Sequence, residues 1–143
     1  MPPGCLLAGA VAVVVATGLG GCVSRTPVAT TGTTPARVLD VSEGLASYYG
    51  PGFHGKPMTS GIRFDMNAMV AAHPSYPFGT EVRVTNLENG RSVRVTILDR
   101  GPAERVVADG VIIDVSRRAA ERLGFLRDGR ARVRVEVLKF GEP

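Results

Sequence analysis

The sequence predicts an all-β barrel of six short strands with one or two short helices, and three observations carry that prediction. Several segments alternate apolar and polar residues with the period of a strand, most cleanly "EVRVTN", "SVRVTILD" and "ARVRVEVL". Between the first two lies Asn89-Gly90, the strongest short hairpin signal because both residues tolerate positive φ, so those strands are expected to pair antiparallel. A plan also repeats: "AMVAAH", a loop and "GTEVRV" are echoed by "RRAAERLG", a loop and "GRARVRV", which suggests two pseudo-symmetric helix–loop–strand units. Closing such short strands into a barrel removes edges that a domain of about 100 residues would otherwise have to protect.

With 143 residues, 44% of them hydrophobic, the chain has material for one domain with a proper core. The net charge of +4 rests almost wholly on arginine and suits a surface that meets anionic polymers. Residues 1–21 read as a lipoprotein signal peptide: "LLAGAVAVVVATGLGGC" is an unbroken apolar run that ends in small residues and Cys22, the expected lipidation site. No Lys or Arg precedes Arg25, and the alternative is an uncleaved membrane anchor. Either way the domain is expected outside the cytoplasm. Residues 22–41, rich in Thr and Pro without apolar period, read as a solvated tether, and residues 42–140 as the folded unit.

Within that unit "GLASYYG" alternates as a strand with Leu45, Ser47 and Tyr49 on one face, and "PGFHGKPMTSG" reads as a loop. "DMNAMVAAH" offers a short helix with Asp65 or Asn67 as N-cap, stopped by Pro74. The hairpin follows. "GVIIDVS" is a strand with a continuous apolar centre, after which Ser116 caps a helix whose Ala119, Ala120 and Leu123 turn inward before Gly124 ends it. "ARVRVEVL" closes the domain with Val133, Val135 and Val137 inward.

The only cysteines, Cys5 and Cys22, lie in the leading segment, so the folded unit has no disulfide and no thiolate chemistry. His54 and His73 lack a paired ligand at metal spacing; no metal and no cofactor are expected. Asp99 stands where a strand stops and a loop begins, and the residues alone leave it balanced between turn residue and catalyst. Arg100 either steadies that carboxylate or faces away. His73 sits at a loop mouth, either sharing a proton with a carboxylate or held as a structural imidazole. Phe53, Tyr48 and Tyr49 are either rim aromatics that stack on sugar rings or core. Asp114 belongs to the barrel mouth or to the helix N-terminus, the helix-dipole reading being the simpler. The strand arginines alternate with core valines as a solvated face without interleaved aromatics, so nucleic acid is not an expected partner.

In "GLASYYGPGFHG", "FDMNAMVAAHPSYPFGTEVRVTNLENGRSV" and "ILDRGP…IIDVSRRAAERLG", taken in that order, the chain resembles the rare lipoprotein A family, the septal lytic transglycosylases. The resemblance covers residues 43–138 and implies a double-psi β-barrel that cleaves naked peptidoglycan glycan between N-acetylmuramic acid and N-acetylglucosamine, leaving a 1,6-anhydro product. Carried over residue by residue, it implies Asp99 and His73 as catalytic, with Gly101 and Pro102 completing the acid's motif. Tyr49, Phe53, Arg100 and Gly101 are then expected to bind substrate. The family's Ser-Gly-Glu reads Ser60-Gly61-Ile62 here, so one carboxylate is missing. A single acid can suffice, because the sugar's own 6-hydroxyl attacks and one group can donate and then accept the proton. Its pKa must then be raised by burial or a like charge. The alternatives are a non-catalytic wall-binding lipoprotein, in which Ile62 marks a lost site, and a purely structural envelope lipoprotein. Expected partners are glycan strands and the membrane through the lipid; the expected state is a monomer. Val23 after Cys22 favours the outer membrane, if one is present.

Overall fold

Alternation of valines with polar residues becomes barrel wall in the computed structural model, which describes residues 35–143. The signal segment, Cys22 and most of the tether lie outside the described residues. Among those described, six strands form: β1 (Asp40–Tyr48), β2 (Val70–Ala72), β3 (Glu81–Asn86), β4 (Ser92–Asp99), β5 (Val111–Val115) and β6 (Ala131–Lys139). Two short α-helices, α1 (Glu104–Val107) and α2 (Arg117–Leu123), and a 3₁₀ turn at Pro51–Phe53 connect them. The strands close in the order β1-β5-β2-β4-β3-β6, with β1 parallel to β5, β2 parallel to β4, and every other neighbour antiparallel. Val82, Val95, Ile97, Ile113, Val133 and Val135 fill the interior, each burial being worth about 1.5–3 kcal/mol.

Advancing every strand number by three, with β4 to β6 returning to β1 to β3, reproduces each neighbour and each pairing sense. The barrel is therefore pseudo-twofold, though not in the units suggested by the sequence echo. β3 does correspond to β6, but "AMVAAH" holds β2, whose counterpart is β5, and α2 lies between β5 and β6.

The helix expected over "DMNAMVAAH" does not form. The Asp65 side chain accepts from Asn67 N at 2.8 Å, making a local turn instead of a cap, and Val70, Ala71 and Ala72 then enter the sheet between β4 and β5. All three are buried, so this strand has no polar side to show period two, and tertiary pairing decides.

β1 begins at Asp40, ahead of the start expected near Ser42, and turns Ala46 and Tyr48 toward the core where Leu45, Ser47 and Tyr49 were expected to share a face. A register shift against β5 falls at Leu45/Ala46. The hairpin between β3 and β4 is antiparallel as expected, but only Gly90 takes positive φ (75°). Asn86 N donates to Arg91 O and Gly90 N to Asn86 O, both at 2.8 Å, so the loop is longer than a two-residue turn. This frees Asn86 and Asn89, whose Nδ2 groups donate to Leu123 O at 3.0 and 2.8 Å and satisfy a carbonyl at the end of α2. The other end of α2 is as expected: Ser116 Oγ accepts from Ala119 N, Gly124 takes the left-handed conformation, and Ala119, Ala120 and Leu123 are buried.

The short β2 positions everything that follows. Ala72 pairs with Asp99 on β4 and with Asp114 on β5, so two carboxylates stand one strand to either side of it. Two strand spacings separate their backbones by about 10 Å.

Candidate active site

Asp99 ends β4 at the floor of a groove of about 620 Å³ lined by Tyr48, Tyr49, Phe53, Lys56, Gly101 and Asp114, among others. Among the described residues four hydrogen bonds converge on its carboxylate. Oδ1 accepts from Thr59 N (2.8 Å), Thr59 Oγ1 (2.7 Å) and Arg100 N (2.9 Å), and Oδ2 from Tyr49 Oη (2.8 Å). Burial pushes the Asp99 carboxyl up, but the bonds from Thr59, Tyr49 and the Arg100 backbone together outweigh it and hold the group below the ordinary carboxylate range. At rest Asp99 is an anion.

Asp114 is the second acid of the groove. Ser47 Oγ makes a short hydrogen bond to its Oδ1, and among the described residues its Oδ2 has no protein partner. Burial pushes Asp114 up; the Ser47 bond and Arg130 oppose this, the Asp99 charge adds to it, and the net shift is upward. Neighbouring carboxylates pushed in opposite directions are the pattern of acid/base pairs. The helix-dipole reading of Asp114 thus gives way to the barrel-mouth one, since the residue lines the groove.

Tyr49 joins binding wall to acid. Its ring lies 5.5 Å from that of Phe53 and 4.4 Å from that of Phe64, while its hydroxyl is held by Asp99. Burial, then the Asp99 bond and charge, push that hydroxyl well above its ordinary pKa, so it stays a donor. Phe53 is 50% exposed at the rim, with Lys56 Nζ 5.3 Å from its ring centroid. Gly101 takes φ 150°, which side-chain-bearing residues rarely adopt; a Cβ there would be in ordinary contact with Ala72 Cβ at 3.4 Å and Asp114 Oδ2 at 3.8 Å.

Arg100 reaches Asp99 only through its backbone. Its guanidinium lies 4.0 Å over the Phe78 ring and donates to Tyr76 O at 2.8 Å. His73 departs from the expected role. Its N–H donates to Asp99 O at 3.2 Å, but no hydrogen bond joins its ring to the Asp99 carboxylate. The ring stacks on Tyr76 at 3.7 Å, and Nδ1 accepts from Ser75 N (3.2 Å) and Tyr76 N (3.1 Å), so the proton is on Nε2. Burial and then the Arg100 charge push His73 down to about 4, and it stays neutral where it was expected to trade protons. Ile62 is 52% exposed just after the turn that Gly61 (φ 87°) closes, and does not line the groove. A second carboxylate of the groove is nonetheless present in Asp114. Thr59 escaped the sequence reading; its contact with Asp99 spans 40 positions of chain and no spacing rule signals it.

The lytic transglycolase family matches residues 41–135. The endolytic peptidoglycan transglycosylase RlpA of Campylobacter jejuni is 44% identical over 108 residues, 76% of this chain and 38% of that protein. Its namesakes in Neisseria meningitidis and Vibrio cholerae are 46% and 44% identical over 69% and 70% of this chain, and 40% and 36% of their own. The chain thus spans about two fifths of these relatives. Among solved structures, a Streptomyces papain inhibitor superposes with a TM-score of 0.56 at 22% identity, covering 71% of this chain and 97% of its own. Clavibacter michiganensis expansin superposes at 0.55 and 20% identity, covering 73% and 53%. These two likenesses show the fold, a double-psi β-barrel.

Proposed function

We propose, since this chain belongs to the lytic transglycolase family, that it cleaves naked peptidoglycan glycan lytically at the Asp99 groove. The observation that carries this reading is the convergence of Tyr49, Thr59 and Asp114 around one strand-end carboxylate in an aromatic-walled groove.

Lytic cleavage needs no water. The leaving oxygen at the bond between N-acetylmuramic acid and N-acetylglucosamine gains a proton, the 6-hydroxyl of the muramic residue attacks its own C1, and that hydroxyl's proton is lost, so the 1,6-anhydro product forms with no net proton change. Asp99 performs both transfers, as acid toward the leaving oxygen and as base toward the 6-hydroxyl. Because the resting group is ionised, it takes up its first proton in the complex. Glycan that displaces water from the groove increases burial, already the largest influence on Asp99 and one that raises its pKa. Asp114, pushed upward by burial, lines the same groove. Tyr49, Phe53 and Lys56 bind the sugar faces, Gly101 lets the chain pass close to the reacting bond, and His73 holds the end of β4 through its backbone. The domain works as a monomer tethered to the envelope through acylated Cys22, at the outer membrane where there is one, without metal or nucleic acid.

Digestion of amidase-treated peptidoglycan by the full chain, with products read by mass, tests the reading. Anhydromuramyl fragments that vanish in Asp99→Asn are the expected result. Glycan pelleting without any anhydro product, even in Ile62→Glu, would overturn catalysis and leave a wall-binding module.

A further inference from the structure

A second pocket of about 300 Å³ adjoins the groove, lined by Tyr48, Tyr49, Pro51, Arg117, Leu126 and Arg127. Tyr48 and Tyr49 line both concavities. Its frame is anchored. Tyr48 Oη donates to Leu126 O at 3.0 Å and its ring meets Phe125 edge-on at 6.1 Å. Asp128 N and Gly129 N both donate to Phe125 O, at 3.1 and 3.0 Å, which places Arg127 in a tight turn. Arg117 follows Ser116, whose N–H is held by Val70 O at 2.9 Å.

Two arginines, Arg117 and Arg127, line this concavity without an ion-pair partner among the described residues, whereas Arg118 beside the first is tied to Glu121 at 3.0 Å and Arg130 to Asp109 at 3.1 Å. Each guanidinium presents a fork of donors to a planar anion, and the tyrosine and proline walls suit the apolar face of a pyranose ring. Resting on the glycan reading above, we infer that this pocket is a subsite for a carboxylate-bearing sugar, with Arg117 and Arg127 holding the free lactyl carboxylate of a peptide-free muramic residue on the strand that occupies the groove. A stem peptide converts that carboxylate to a neutral amide and adds bulk where the arginines stand. The pocket therefore selects stripped glycan over peptide-bearing glycan.

The test compares two ligands that differ only in charge: amidase-stripped glycan, and the same glycan with its lactyl carboxylates coupled to methylamine. The full chain in detergent should bind the carboxylate form about tenfold tighter than the methylamide form. In the double variant Arg117→Gln/Arg127→Gln that ratio should fall to about one, with affinity for the methylamide form unchanged; the latter result also shows that the variant is folded. Equal binding of both forms by the unaltered chain, or a ratio that survives in the double variant, overturns the subsite while leaving the cleavage reading intact. Failure to bind either glycan sinks both.

Discussion

The barrel makes the same corner twice and uses it differently. β1 runs into Tyr48-Tyr49-Gly50-Pro51 and β4 into Asp99-Arg100-Gly101-Pro102. The pseudo-twofold superposes them, since Tyr48 pairs with Val115 of β5 as Asp99 pairs with Ala72 of β2. Both corners line the groove. One contributes an aromatic wall, the other the acid, so the proposed function places binding and chemistry on equivalent halves of one scaffold. The glycines differ likewise. Gly50 has φ −67° and open space around a would-be Cβ, whereas Gly101 has φ 150° and neighbours on both sides.

The sharpest way to break this division is Asp99→Asn, which should lower kcat about a thousandfold while glycan binding, measured by pelleting, stays within about twofold. If binding falls equally, the two corners are not separable. Tyr49→Phe tests the bridge between them. It keeps the ring and removes one of the bonds that hold Asp99 down, so Asp99 should titrate higher, the alkaline limb of the kcat profile should move to higher pH, and kcat should change about threefold to tenfold. Gly101→Ala should cost about 1–2 kcal/mol, seen as a drop in Tm, while Gly50→Ala should stay within about 0.5 kcal/mol. Equal shifts would mean the corners are alike after all.

The two carboxylates have opposite linkage to pH. Asp99 is depressed on folding, so its contribution is present above the unfolded pKa and lost as pH falls through the folded one. Asp114 is raised, so its contribution is present below the unfolded pKa and lost as pH rises through the folded one. Asp114→Asn, which can still accept from Ser47, should therefore raise Tm modestly at neutral pH and lose that advantage in acid; a lower Tm at neutral pH would contradict it. The smallest effect belongs to His73. Because it is already neutral above about 4, His73→Gln should leave the shape of the kcat profile between about pH 5 and 8 unchanged.

Much of this could be read along the chain, and what could not has a common cause. β3, β4 and β6 announce themselves because one face of each meets the core and the other meets solvent. β2 is hidden because three residues buried on every side carry no period. The equivalence of the two corners is hidden because they share only Gly and Pro. Asp99 and the Gly-Pro that follows it are legible as a motif; Thr59 is not, because it meets Asp99 from a loop 40 positions away in the chain.

The sequence by itself determined which faces of β3, β4 and β6 turn inward, where α2 starts and stops, and that an acid ends β4, because period, capping and turn chemistry act between residues close in the chain. Only the tertiary structure decided that β2 slides between β4 and β5, that Asp99 and Asp114 therefore share one groove, and that the first is held down while the second is pushed up. Desolvation, hydrogen bonding and charge act through space, between groups that the chain brings together only on closing the barrel.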